Sequence, residues 1–184
     1  MPDNKLPSQL QVAIQGHTAF VRVQGRATFR VSKSMKAFGQ TAMERGVVQL
    51  VLDMRDCIGM DSTFMGVLAG LALQLRDKEP GKLYLVNCTP HTRGLLATLG
   101  LDQLVEPHEQ GEPALPVVAE LNESQPMTAV PASNDTQHET AKMMLEAHET
   151  LVTLTPENAP RFRDVVAFLR EDVARGTKNQ DDMG

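Results

Sequence analysis

Residues Val47 to Leu52 read Val-Val-Gln-Leu-Val-Leu, a nearly continuous apolar run. A strand with one face in water alternates apolar and polar residues. An unbroken run belongs to a strand covered on both faces, as in a parallel sheet. The chain must therefore supply helices as cover, and the flanking sequence offers them. Before the run, Leu10, Val12 and Ile14 alternate with polar neighbours, Gly16-His17 punctuates, and Ala19 to Val23 forms a second strand ending at Gly25, so a hairpin is expected. Val31, Met35, Phe38, Ala42 and Met43 then recur at helical spacing, with Gly46 placed for a helix C-cap. After the run, Asp53 to Met60 reads as a loop, and a helix is expected from Ser62 to about Asp77 with Phe64, Val67, Leu68, Leu71 and Leu75 as its apolar face. Leu83 to Val86 is another buried strand, Pro90 opens a third helix closed by Gly100, and Leu104-Val105 offers a last short strand. Residues 8–106 thus read as an α/β domain, a small mixed β-sheet with helices packed on it and right-handed crossovers.

Residues 107–137 change character. They hold five of the eleven prolines and five acidic residues but no Lys or Arg, a linker composition in which only Leu115-Pro116-Val117-Val118 looks able to dock. Residues 138–176 return to helical periodicity. Met144, Leu145, His148, Leu151 and Val152 share one face, and Phe162, Val165, Val166, Leu169 and Val173 share another, with a restart at Thr155-Pro156-Glu157. Two such amphipathic helices cannot bury both faces alone. They must pack on each other, on the first domain or on a partner, and a homodimer through them is one outcome. Residues 177–184 are expected to be a disordered tail.

Composition narrows the function. Hydrophobic content of 41% supports a core. A net charge of −5, one Tyr and no Trp disfavour a nucleic-acid surface, which needs basic or stacking side chains. Cys57 and Cys88 sit in or beside apolar runs and read as buried thiols. The N-terminal MPDNKLPSQL has no apolar signal core, and the run from Phe64 to Leu75 is far short of the roughly 20 residues of a membrane span, so a cytoplasmic protein is expected. The five histidines show no i, i+4 pairing or Cys spacing for zinc, Asp53, Asp56 and Asp61 read as a solvated rim, and no glycine-rich phosphate loop occurs. Neither a catalytic constellation nor a cofactor is expected, which points to a binding module rather than an enzyme.

The most informative segment is Gly59-Met60-Asp61-Ser62-Thr63-Phe64-Met65-Gly66, which follows a buried strand and opens a helix. The first-turn N–H groups of a helix are unsatisfied and carry partial positive charge. A phosphate on Ser62 would sit near those donors and add roughly −1.5 to −2 charge at one exposed junction. Spacing alone favours the plainer reading, in which Asp61 or Ser62 is simply an N-cap.

The order hairpin, helix, apolar strand, Asp61-Ser62-Thr63, Gly66, helix, strand, helix resembles the STAS domain of bacterial anti-sigma factor antagonists. Val48 to Asp53, Leu83-Tyr84-Leu85-Val86-Asn87, Thr92-Arg93-Gly94-Leu95-Leu96 and Leu99-Gly100-Leu101 carry the likeness further, over about residues 8–106. The resemblance implies signalling by partner switching: an anti-sigma factor serine kinase binds the module and phosphorylates Ser62, with Thr63 as second choice, and a serine phosphatase resets it. It implies a partner surface of Gly25, Arg26, Thr28, Asp61, Phe64 and Met65, with Asp61 orienting the Ser62 hydroxyl or contacting the kinase. Two residues depart from the family pattern. Thr28 stands where the first loop usually carries Asp, and Phe64 stands where Gly is common; Phe64 reads as core or as an exposed anchor. The rival readings are a protein-binding scaffold of the same fold without phosphorylation, and an accessory subunit of a transport system.

Overall fold

The computed structural model describes residues 7–119, 126–131 and 133–181. Its strands are β1 (Gln9–Gln15), β2 (Thr18–Ala27), β3 (Gln49–Met60), β4 (Lys82–Cys88), β5 (Glu106–Glu109) and β6 (Thr128–Val130). Its helices are α1 (Phe29–Glu44), α2 (Ser62–Arg76), α3 (Pro90–Thr98), α4 (Pro116–Ala119), α5 (Gln137–Leu154) and α6 (Asn158–Asp181). The strands form one mixed sheet in the order β5-β4-β3-β2-β1-β6. β2, β3, β4 and β5 run parallel, while β1 pairs antiparallel with β2 and with β6.

The apolar run sits at the centre of that sheet and is buried on both faces. Leu50 and Leu52 point with Val21, Val23, Leu83 and Leu85 into the main core, which also holds Met35 of α1, Phe64, Leu68 and Leu71 of α2, and Leu96 of α3. Val51 points the other way, with Phe20 and Val86, into a smaller cluster where Leu115, Val117 and Val118 pack. The stretch 107–137 is therefore more than a linker: it contributes one edge strand, most of the other, and the α4 cover of the second face.

Four elements differ from the sequence reading. Gly25 does not end β2, and Asp53 to Met60 is not a loop. The two strands continue side by side to Ala27 and Met60, with register shifts between Arg22 and Gln24 and between Gly25 and Arg26. Extra residues at bulges break the alternation that marks a strand, and Gly25 takes a positive φ of 69° there. The last strand lies at Glu106–Glu109 rather than at Leu104-Val105, after a 3-10 turn at Leu101–Gln103. At the C-terminus α6 begins at Asn158 rather than after Thr155, and continues through Asp181, so residues 177–181 are helical; residues 182–184 lie outside the described residues.

The C-terminal helices form a hairpin that docks on the domain as a further layer. Met143, Ala147 and Leu151 of α5 and Phe162 and Val166 of α6 join the main core. Asn158, fully buried, donates from Nδ2 to Leu99 O (3.0 Å) and Leu151 O (2.8 Å), and Arg161 donates to Thr98 O (2.7 Å), which pins the hairpin turn to the end of α3. Lys36 of α1 pairs with Glu146 of α5, and Lys33 pairs with Asp135 and Glu139 at the α5 entrance. Thr136 and Glu139 close a capping box there.

Candidate functional site at the start of α2

β3 delivers the chain to Asp61 at the end of the sheet, and Asp61 N donates to Ala27 O (3.0 Å). Asp61 then caps two helices at once. Its Oδ1 accepts from Phe64 N of α2 (2.8 Å) and its Oδ2 from Phe29 N of α1 (2.8 Å). Each bond satisfies a first-turn donor, and one negative charge faces two positive helix ends. Thr28, the N-cap position of α1, makes no side-chain cap hydrogen bond. The α1 cap that its side chain leaves unmade is supplied from across the loop by Asp61.

Both Asp61 oxygens are thus committed to backbone N–H groups, and the expected orientation of Ser62 by Asp61 is replaced by another contact. Ser62 Oγ lies 2.9 Å from His148 Nε2 of α5. His148 Nδ1 lies 2.7 Å from Met144 O. A carbonyl only accepts, so Nδ1 carries a proton; in the neutral imidazole Nε2 is then the acceptor, and the Ser62 hydroxyl donates to it. His148 is 3% exposed and stacks edge-on against Phe162 of α6 with ring centroids 5.2 Å apart. Sequence reading placed His148 on a helix face but had no signal for this contact, which joins residues 86 apart.

The remaining expected site residues divide by burial. Ser62 is half-buried, whereas Thr63 is 2% exposed, which leaves Ser62 as the accessible hydroxyl of the pair. Phe64 is fully buried and Met65 nearly so, and neither presents a side chain to a partner in this arrangement. Phe64 falls on the sheet-facing stripe with Leu68, Leu71 and Leu75, so it is core. Gly25 is buried, Thr28 half-buried and Arg26 exposed. Two large apolar side chains that sequence reading did not select stand exposed at the same end of the sheet: Phe29 at 41% and Ile58 at 54%. Arg30 lies over the Phe29 ring at 5.9 Å, and Arg26 is paired in register with Gly59, next to Ile58. The Asp61-Ser62 junction is therefore bordered by an apolar and basic surface on a chain of net negative charge.

Outside this site, both cysteines are buried. Burial pushes the Cys57 thiol up, and pushes Cys88 up to about 11 against an opposing backbone hydrogen bond from His108. Among the described residues no three His, Cys, Asp or Glu side chains gather as metal ligands, and no helix is long and apolar enough to cross a membrane.

The family model described as "Mlab, STAS domain" matches residues 10–106. Among solved structures, the chain is similar to a putative anti-sigma factor antagonist from Thermotoga maritima, with 16% identity and a TM-score of 0.52 over 60% of this chain and 94% of the other. It is also similar to an anti-sigma factor antagonist from Mycobacterium paratuberculosis, with 22% identity and a TM-score of 0.51 over 60% and 93%. No curated protein matches. At these identities the two structures establish the fold, while the family match extends over more than half of the sequence: the chain belongs to the STAS-domain family.

Proposed function

We propose that this protein is a signalling module of the anti-sigma factor antagonist type, controlled by phosphorylation of Ser62. The observation that carries the reading is the junction itself. Asp61 ties the starts of α1 and α2 together with both of its oxygens, and Ser62, the next residue, is half-buried beside exposed Phe29, Ile58, Arg26 and Arg30. The two similar structures are, by their names, anti-sigma factor antagonists, one of them putative. A phosphoryl group at the first position of α2 is compatible with the helix and changes the charge of the adjoining surface by about −2. The partner is an anti-sigma factor serine kinase that reads this surface, and a serine phosphatase reverses the modification. In this reading the chain is the kinase's substrate and ligand, and the kinase supplies the catalytic groups.

The test is intact-mass spectrometry after incubation with ATP and each anti-sigma-type serine kinase of the source genome. A gain of one phosphoryl group that disappears in Ser62→Ala supports the reading. No gain with any kinase, or a gain that persists in Ser62→Ala, refutes it.

A further inference from the structure

The α2 helix has two apolar stripes. One faces the sheet. The other carries Ser62, Met65, Gly66, Ala69 and Gly70, positions that recur on one helical face. On this second stripe α5 lies close enough that a Cβ built at Gly66 would fall 2.3 Å from Ala147 O and 2.8 Å from Ala147 Cβ. His148, the residue after Ala147, accepts the hydrogen bond of the Ser62 hydroxyl. The close approach of the hairpin at Ala147 and the hydrogen bond from Ser62 to His148 thus sit one residue apart.

We propose that the α5–α6 hairpin is a built-in cover for the Ser62 end of α2, latched by the Ser62–His148 hydrogen bond and displaced when Ser62 is phosphorylated. The proposal rests on the preceding section only for the source of the phosphoryl group. In the transfer, Oγ forms a bond to the γ-phosphorus of ATP, the bond from that phosphorus to the bridging oxygen breaks, ADP leaves, and the hydroxyl proton passes to a basic group of the kinase. Ser62 then has no hydrogen to donate. Nε2 of His148 is left as an acceptor facing phosphate oxygens, with the ring's one proton already engaged by Met144 O. A phosphate also needs room where Oγ and Nε2 are now 2.9 Å apart. The hairpin has no slack to give it. The Gly66–Ala147 contact allows no sliding towards α2, and Asn158 fixes the turn to Leu99 O. Packed interfaces of this kind switch between docked and released rather than stretching. Release would uncover the outer stripe of α2 together with the modified serine, so a change at one side chain would become a change in which surface the molecule offers.

The experiment uses the full chain carrying phosphoserine at position 62, installed during translation so that no kinase is involved, and follows amide hydrogen exchange. Expected is about tenfold or greater acceleration in α5, with β3 and β4 unchanged. Ser62→Ala, which removes the hydrogen bond but adds no bulk, should keep α5 protected to within a few-fold. Gly66→Leu, which blocks docking without charge, should reproduce the phosphoserine pattern. The proposal is overturned if α5 in the phosphoserine protein stays as protected as in the unmodified chain. It is equally overturned if Gly66→Leu leaves α5 protected, or if β3 and β4 lose protection along with α5, since the hairpin would then not be a separable cover. Phosphorylation by no kinase would refute the preceding section and leave these outcomes readable.

Discussion

Gly66 and Gly70 lie one turn apart on α2, and the structure assigns opposite outcomes to the same substitution at each. At Gly66 an added Cβ would meet the backbone of Ala147 at 2.3 Å, where ordinary contact begins at 3.4 Å. Relief requires α5 to withdraw by about 1 Å, and a gap of that size forfeits roughly a quarter to a half of the dispersion energy along the contact. Overpacking against backbone, which cannot rotate away, belongs near the upper end of the usual range, about 3 kcal/mol. The gain in helix propensity from Gly to Ala offsets about 1 kcal/mol of this. Gly66→Ala should therefore destabilise by about 2 kcal/mol. At Gly70 a Cβ meets nothing within 4 Å, so Gly70→Ala should stabilise by about 1 kcal/mol through propensity alone. For a chain of this size each kcal/mol moves the melting temperature by about 2–4 °C, so the two variants should differ by about 6–12 °C. Urea and thermal denaturation followed by circular dichroism measure both. If Gly66→Ala melts at or above the wild-type temperature, α5 does not lie on α2 as described, and the cover proposed for Ser62 loses its steric basis.

Two further outcomes follow from the same geometry. Asp61→Ala removes the acceptor for Phe64 N and Phe29 N together and should cost about 2–3 kcal/mol in urea denaturation, twice the usual effect of a single N-cap; Asp61→Asn, which keeps one carbonyl acceptor, should recover about half. The Cys88 thiol, ordinarily near 9.0 and pushed up to about 11 by burial, keeps its proton in the folded chain after the unfolded chain has lost it. Its contribution to stability is complete below pH 9 and is lost as the pH rises to about 11, so the urea midpoint should fall across that window, and Cys88→Ala should flatten the decline.

The parts of the fold visible in the sequence are those whose signal is local. The central strand declared its two covered faces by an unbroken apolar run, and the turn glycines at Gly46 and Gly100, both at positive φ, marked helix ends correctly. The extensions of β2 and β3 were invisible because bulges interrupt the period-two pattern. The docking of the C-terminal hairpin did leave a trace. From Phe64 to Leu73 α2 holds only apolar residues and glycines, and a helix that is apolar or small all round is covered on more than one face. One stripe answers to the sheet, and the second, with Gly66 on it, predicts another helix at short range. That trace identifies a covered face but not its occupant. The Ser62–His148 contact and the double role of Asp61 depend on how separate segments meet, and neither appears in any window of the sequence.

The two outermost strands carry a consequence for how this molecule meets others. β6 spans three residues and β5 four, Glu-Pro-His-Glu, with a proline that has no N–H to offer. Short, charged and proline-bearing margins are poor templates for strand addition. Growth of the sheet from one copy into the next, or into an extended peptide, is discouraged on both sides. Under the proposed function, contact with other proteins would fall to side chains at the rim, where Phe29, Ile58 and Ser62 stand, rather than to the margins of the sheet.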